Sequence, residues 1–87
     1  MDAKEAAKAA KDYVLDVFGD DDIYHVALEE IKYEGTRWKV TVGFYPGWAR
    51  TALPLIPNPR QRWYKVVNIR DSNGEVLSVT HRNPPGD

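Results

Sequence analysis

Eighty-seven residues, 43% hydrophobic and 29% charged, suffice for one small domain and are too few for two. The chain has no cysteine, which excludes a disulfide framework and a thiolate metal site, and no apolar run approaches the ~18 residues of a membrane span. The net charge of −1 conceals two opposed segments: residues 1–22 carry three lysines against seven acidic residues, whereas residues 37–70 carry seven Lys and Arg and no Asp or Glu.

The hydrophobic content is too high for a disordered chain. A chain this short buries only about 60% of its unfolded surface, so every core side chain counts. The opening Met1-Asp2-Ala3-Lys4 lacks the basic-then-apolar order of a signal peptide, and the expected location is the cytoplasm.

Residues 3–18 predict a helix. Asp2 is placed to cap it, with Glu5 completing a capping-box pattern. Ala3, Ala6, Ala7, Ala10, Val14, Val17 and Phe18 draw one apolar stripe at helical spacing, small at the start and bulkier at the end. Gly19 is the expected left-handed stop. Asp20-Asp21-Asp22 follow, but their spacing matches no EF-hand loop, and no metal site is assigned.

A first strand is expected over about 23–34. Tyr24, Val26 and Leu28 alternate in one phase and Ile31 and Tyr33 in the other, so a β-bulge is placed at Glu29-Glu30. The next strand, 36–45, alternates most clearly: Trp38, Val40, Val42 and Phe44 on one face, and Arg37, Lys39, Thr41, Gly43 and Tyr45 on the other. Residues 46–60 form a proline-rich connection with Pro46, Pro54, Pro57 and Pro59, too dense in missing donors for a regular element. It is nevertheless apolar, with Trp48, Leu53, Leu55 and Ile56. Strands over 61–70 and 75–82 are joined by a turn at Asp71-Ser72-Asn73-Gly74, with Gly74 supplying a positive φ. Leu77 and Val79 are assigned to the core face and Val76, Ser78 and Thr80 to the open face; residues 83–87 are a tail. The predicted fold is α+β, an N-terminal helix packed on one face of a four-stranded antiparallel meander sheet, in a single domain spanning 1–87.

Three segments carry a resemblance: Trp38-Lys39-Val40-Thr41-Val42-Gly43-Phe44, Arg62-Trp63-Tyr64-Lys65-Val66-Val67-Asn68-Ile69 and Gly74-Glu75-Val76-Leu77-Ser78. Together they resemble small uncharacterised bacterial α+β proteins with a W-x-V-T-x-x-F, R-x-Y-K-V, G-E-V-x-S pattern, a likeness that brings no activity. More broadly the chain is similar to PepSY-like and cystatin-like domains. The run from Gly74 to His81 looks like the last hairpin of short NTF2-fold immunity domains. The resemblance to PepSY-like and immunity domains implies action by binding other proteins. The glutamine-valine-glycine inhibitory loop of cystatins is absent.

Residues for catalysis are sparse. Ser72 falls in a turn and Ser78 mid-strand, neither in a nucleophile-elbow context. His25 and His81 fall at one end of a flat meander but on its outer strands, about 14 Å apart at ~4.8 Å per strand step, and two histidines are too few for a protein zinc site. Glu29 and Glu30 are neighbours in a strand and point to opposite faces. The expectation is a non-enzymatic protein-binding or inhibitory module without cofactor or metal. Its site is the connection and its basic rim: Trp48, Arg50, Leu53, Leu55, Ile56, Arg60 and Arg62. The alternative is nucleic-acid binding through the open sheet face by Arg37, Lys39, Tyr45 and Tyr64, cations for phosphates and rings for stacking. Trp38, Phe44 and Trp63 are expected to point into the core. Partners are thus an unidentified protein or a nucleic acid, with no membrane, and the chain is a monomer or an edge-paired homodimer.

Overall fold

The computed structural model describes residues 1–51 and 61–82, without the side chains of residues 50 and 51. Helix α1 (Ala3–Phe18) begins with the expected capping box. The Asp2 carboxylate accepts from the Glu5 N–H (2.8 Å), and Glu5 Oε1 accepts from the Asp2 N–H (3.0 Å). Such a cap contributes about 1 kcal/mol. Ala6, Ala10 and Val14 are fully buried, and Phe18 continues the same i+4 row against the core. Val17 is 49% exposed, because it lies three residues beyond Val14 and swings off that row. Alanine at positions 6 and 10 lets the helix backbone approach the sheet.

The helix does not end in a left-handed residue at Gly19. Gly19 has φ −60° and ψ −30°, and the chain tightens into a 3₁₀ turn, Gly19–Asp21. Asp22 takes the left-handed conformation (φ 54°), and its N–H donates to the Gly19 carbonyl (3.1 Å). Asp is one of the few non-glycine residues whose short polar side chain tolerates this region.

Strands β1 (Tyr24–Tyr33), β2 (Arg37–Tyr45), β3 (Trp63–Arg70) and β4 (Val76–Arg82) form one antiparallel sheet in the order β1-β2-β3-β4, with α1 on one face. The α+β class predicted from the sequence is the one observed. Val40, Val42 and Phe44 of β2 and Val67 and Ile69 of β3 are fully buried with Ala6, Ala10 and Val14. Each of the larger ones contributes roughly 1.5–3 kcal/mol by burial. Gly74 has the expected positive φ (71°) in the β3–β4 turn. The Trp38 indole N–H donates to Asp71 at that turn (2.8 Å).

Strand β4 departs from simple alternation. Ser78 lies opposite Asn68 but Val76 lies opposite Ile69, so Leu77 is an extra residue in a bulge. Val76 and Val79 therefore pack on the core, and Leu77 is 42% exposed, reversing the expected places of Val76 and Leu77. Strand β1 carries two irregularities. One falls between Leu28 and Glu30, where the change of phase places it, and the other between Tyr24 and Ala27. His25, inside the second, has φ 53°.

Candidate functional site

The face of the sheet away from α1 is occupied by its own charges. At its centre Gly43 of β2 is buried beneath Arg62 and Glu29. A Cβ on Gly43 would lie 2.7 Å from Arg62 Nε and 2.7 Å from Glu29 Oε1, so a side chain there would push the pair from its place. Arg62 Nε (3.1 Å) and Nη2 (2.7 Å) both donate to Glu29 Oε1, and Nη1 donates to the His25 carbonyl (2.9 Å). The guanidinium lies 5.2 Å from the Tyr45 ring centroid and 6.0 Å from that of Tyr64. Its side chain is only 12% exposed. Both irregularities of β1 thus serve Arg62: one carries Glu29, and the other holds His25, whose carbonyl it binds, in the left-handed region. That conformation costs on the order of 1–2 kcal/mol. The His25 ring packs on Tyr24 and Tyr45.

The remaining cations of this face also meet carboxylates. Arg82 and Lys32 pair with Glu30 (3.4 and 3.3 Å), Arg37 and Lys39 with Glu34 (4.0 and 3.5 Å), and Arg70 with Glu75 (2.9 Å). The Lys32 hydrogen bond, assisted by the charges of Lys32 and Arg82, holds the Glu30 carboxyl below its ordinary pKa. Arg82 also donates to Thr41 Oγ1 (3.2 Å). These partners come from β1, from the turn after it and from the start of the last hairpin, not from the basic stretch itself.

The other notable region is the end of the sheet on the α1 side, where the connection leaves β2. Residues Gly47–Thr51 form a 3₁₀ turn, with the Ala49 N–H donating to the Pro46 carbonyl (3.0 Å). Pro46 and Ala49 are buried, and Trp48 points outward, 53% exposed. The turn is pressed against the end of the helix: a Cβ on Gly47 would lie 2.4 Å from the Asp21 carbonyl oxygen. Trp48 meets Trp63 edge-on (6.5 Å between centroids), Trp63 meets Phe44 (6.4 Å) and Phe44 meets Phe18 (5.7 Å). These rings, with Asp21, Ile23, Pro46 and Gly47, line a groove of about 270 Å³. Lys65 lies beside it, its ammonium 5.3 Å from the Phe18 centroid and 5.6 Å from that of Trp63. His81 stacks edge-on against Trp63 (6.5 Å).

Of the residues expected to bind protein, Trp48 is in this groove. Arg62 is turned to the opposite face of the sheet, and Leu53, Leu55, Ile56, Arg60 and the Arg50 side chain lie outside the described residues. Of those expected to bind nucleic acid, Tyr45 is 9% exposed, Tyr64 lies beside the Arg62 guanidinium, and Arg37 and Lys39 share Glu34. Trp63, expected in the core, is 39% exposed. The helix C-terminus, the end of β2 and the start of β3 all fall at one end of a meander, so the convergence of Phe18, Phe44 and Trp63 could have been drawn from the strand order. His25 and His81 lie on the two outer strands. Among the described residues no three His, Asp or Glu side chains are grouped to hold a metal ion, and no helix is long and apolar enough to cross a membrane. Comparisons with protein-family models, with curated proteins and with solved structures find no match.

Proposed function

We propose that this chain is a non-enzymatic protein-binding or inhibitory module whose contact surface is the end of the sheet where the proline-rich connection begins. The observation that carries this reading is the Trp48 side chain. It is more than half exposed on a turn whose neighbours Pro46 and Ala49 are buried, and it stands beside a second partly exposed tryptophan across an apolar groove. Exposing a large ring from a rigidly seated turn loses burial that a chain this small can ill spare. Tryptophan at a pre-formed groove is the usual anchor of a protein interface. The resemblance of the last hairpin to short immunity domains points the same way, and a cytoplasmic setting suits it.

The test is affinity capture from lysate of the source cells with the wild-type chain and with Trp48→Ala and Arg50→Glu. Loss of a captured protein with Trp48→Ala, at unchanged folding by circular dichroism, supports the interface. Capture indifferent to both substitutions would sink it.

A further inference from the structure

We infer that the groove between Trp48 and Trp63 receives a cationic side chain, lysine or arginine, from a basic segment of the partner. This deepens the proposed protein-binding function and rests on it. Three features carry the assignment. The first is size: about 270 Å³ holds one long side chain and not a helix face. The second is the wall chemistry. Phe18, Phe44, Trp48 and Trp63 present aromatic rings, whose negative π-faces attract cations. The chain shows that attraction itself, because Lys65 sets its ammonium against the rings of Phe18 and Trp63.

The third is the charge among the groove's described lining. Asp21 is the charged residue among the groove's lining, and Asp20 precedes it. Among the described residues neither forms an ion pair. Both follow directly on the C-terminus of α1, whose last turn holds Asp16 and no basic residue. A helix C-terminus carries about half a negative charge and favours cations, so acids gathered there raise the local negative potential instead of relieving it. A cation entering the groove meets aromatic rings and, at Asp21, an acidic residue of the lining. Arg62, the cation that the linear sequence places nearest to Trp63, is on the other face and bound to Glu29. Among the described residues Lys65 is the opposing charge beside the groove. It does not line the groove, but it competes for the same rings.

The experiment titrates ¹⁵N-labelled protein with blocked hexapeptides of arginine, lysine, glutamine and glutamate, plus a neutral peptide of alternating leucine and alanine. It follows the three indole N–H signals. Trp38, bonded to Asp71 at the opposite end of the sheet, is the internal control. The arginine and lysine peptides should move Trp48 and Trp63 but not Trp38, with saturation in the millimolar range or below. The double variant Asp20→Asn/Asp21→Asn should bind them roughly two- to fivefold more weakly, as expected for exposed charge pairs. Lys65→Gln, which removes the competing cation, should bind them more tightly. The proposal is overturned if the neutral or acidic peptides move Trp48 and Trp63 as strongly as the basic ones. It is overturned equally if the basic peptides move nothing, or bind the Asn variant unchanged. In each of those cases Trp48-dependent capture from lysate would still decide the interface reading separately.

Discussion

The two sides of this sheet make opposite use of their polar and aromatic groups. On the open face, cations meet carboxylates brought in by neighbouring strands and turns, and Thr41 and Tyr45 of β2 are buried there even though no helix covers them. At the connection end, on the helix side, two tryptophans stay partly exposed and Asp20 and Asp21 have no ion-pair partner among the described residues. The comparison teaches that a run of like charge in sequence is not a charged surface. Residues 37–70 carry seven cations and no acid, yet Glu29, Glu34 and Glu75, all outside that run, pair with four of the seven: Arg37, Lys39, Arg62 and Arg70. A cross-strand neighbour sets the local potential, and sequence distance does not.

The largest way to break this contrast is at Arg62. Arg62→Ala removes three hydrogen bonds, strands Glu29 on a crowded face and empties the space between Tyr45 and Tyr64. It should cost about 2–3 kcal/mol, the scale for hydrogen bonds to a charged group left partly desolvated. In a domain of this size each kcal/mol lowers Tm by roughly 4–8 °C, so thermal unfolding followed by circular dichroism should register a fall of roughly 8–24 °C. A change within a few degrees would mean that the knot over Gly43 is surface decoration. Gly43→Ala, which forces the same pair aside, should cost about 1–2 kcal/mol in the wild type and much less in the Arg62→Ala background. Additive losses would show that the two positions act separately.

Trp48→Ala sharpens the contrast from the other side. With half its surface already in water, its loss should shift stability by only about 1 kcal/mol, while removing most partner binding if the groove is the interface. Measuring both properties on one variant separates a binding side chain from a core cap, which would lose several kcal/mol. Unmasking the open face should have the converse effect. In Glu29→Gln/Glu34→Gln, single-stranded oligonucleotide affinity at low salt should rise over the wild type, because Arg37, Lys39 and Arg62 lose their internal partners. Fluorescence anisotropy against salt would read it, with a slope near −0.7 per phosphate engaged. Equal affinity in the two proteins would mean that the carboxylates do not mask the face.

These two regions were unequally legible from the sequence. Alternation at Trp38, Val40, Val42 and Phe44 marks a strand with one buried face, and the i+4 row Ala6, Ala10, Val14 marks the helix that covers it. Those patterns yield the α+β class, because period alone decides which side chains share a face. The change of phase near Glu29 marks the first bulge. The purpose of that bulge was not visible, since it depends on Arg62, thirty-three residues away, and on Gly43 lying beneath both. Leu77 and Val76 exchanged places for a similar reason: one inserted residue changes the phase at that point, so Val76 turns to the core and Leu77 outward while Ser78, Val79 and Thr80 keep their expected faces, and nothing in Glu75-Val76-Leu77 announces it. At the connection end, Trp48 was legible as an unexplained apolar residue among prolines. The acid at the groove was not. Asp21 comes from a turn that was expected to be a sharp helix stop, and only the 3₁₀ continuation through Gly19 brings it against Gly47.

The smallest expected effect is on pH dependence, and it tests the neutralised face through Glu30. The Lys32 hydrogen bond, with the charges of Lys32 and Arg82, lowers the pKa of Glu30 in the folded chain relative to the unfolded one. A carboxyl with a depressed folded pKa binds more protons in the unfolded state. Its contribution is therefore fully present above the ordinary carboxylate range, near pH 5 and higher, and is lost as pH falls through the folded pKa. Glu30→Gln abolishes that component. The wild type and the variant should differ most at neutral pH, with the wild type the more stable, and their denaturation midpoints should converge as the solution is acidified below the unfolded pKa of about 4.3. The exposed setting keeps the difference small. Added salt should shrink it further by screening Lys32 and Arg82. A gap that widens on acidification would reverse the sign, and Glu30 would then be a group strained by its neighbours, not held by them.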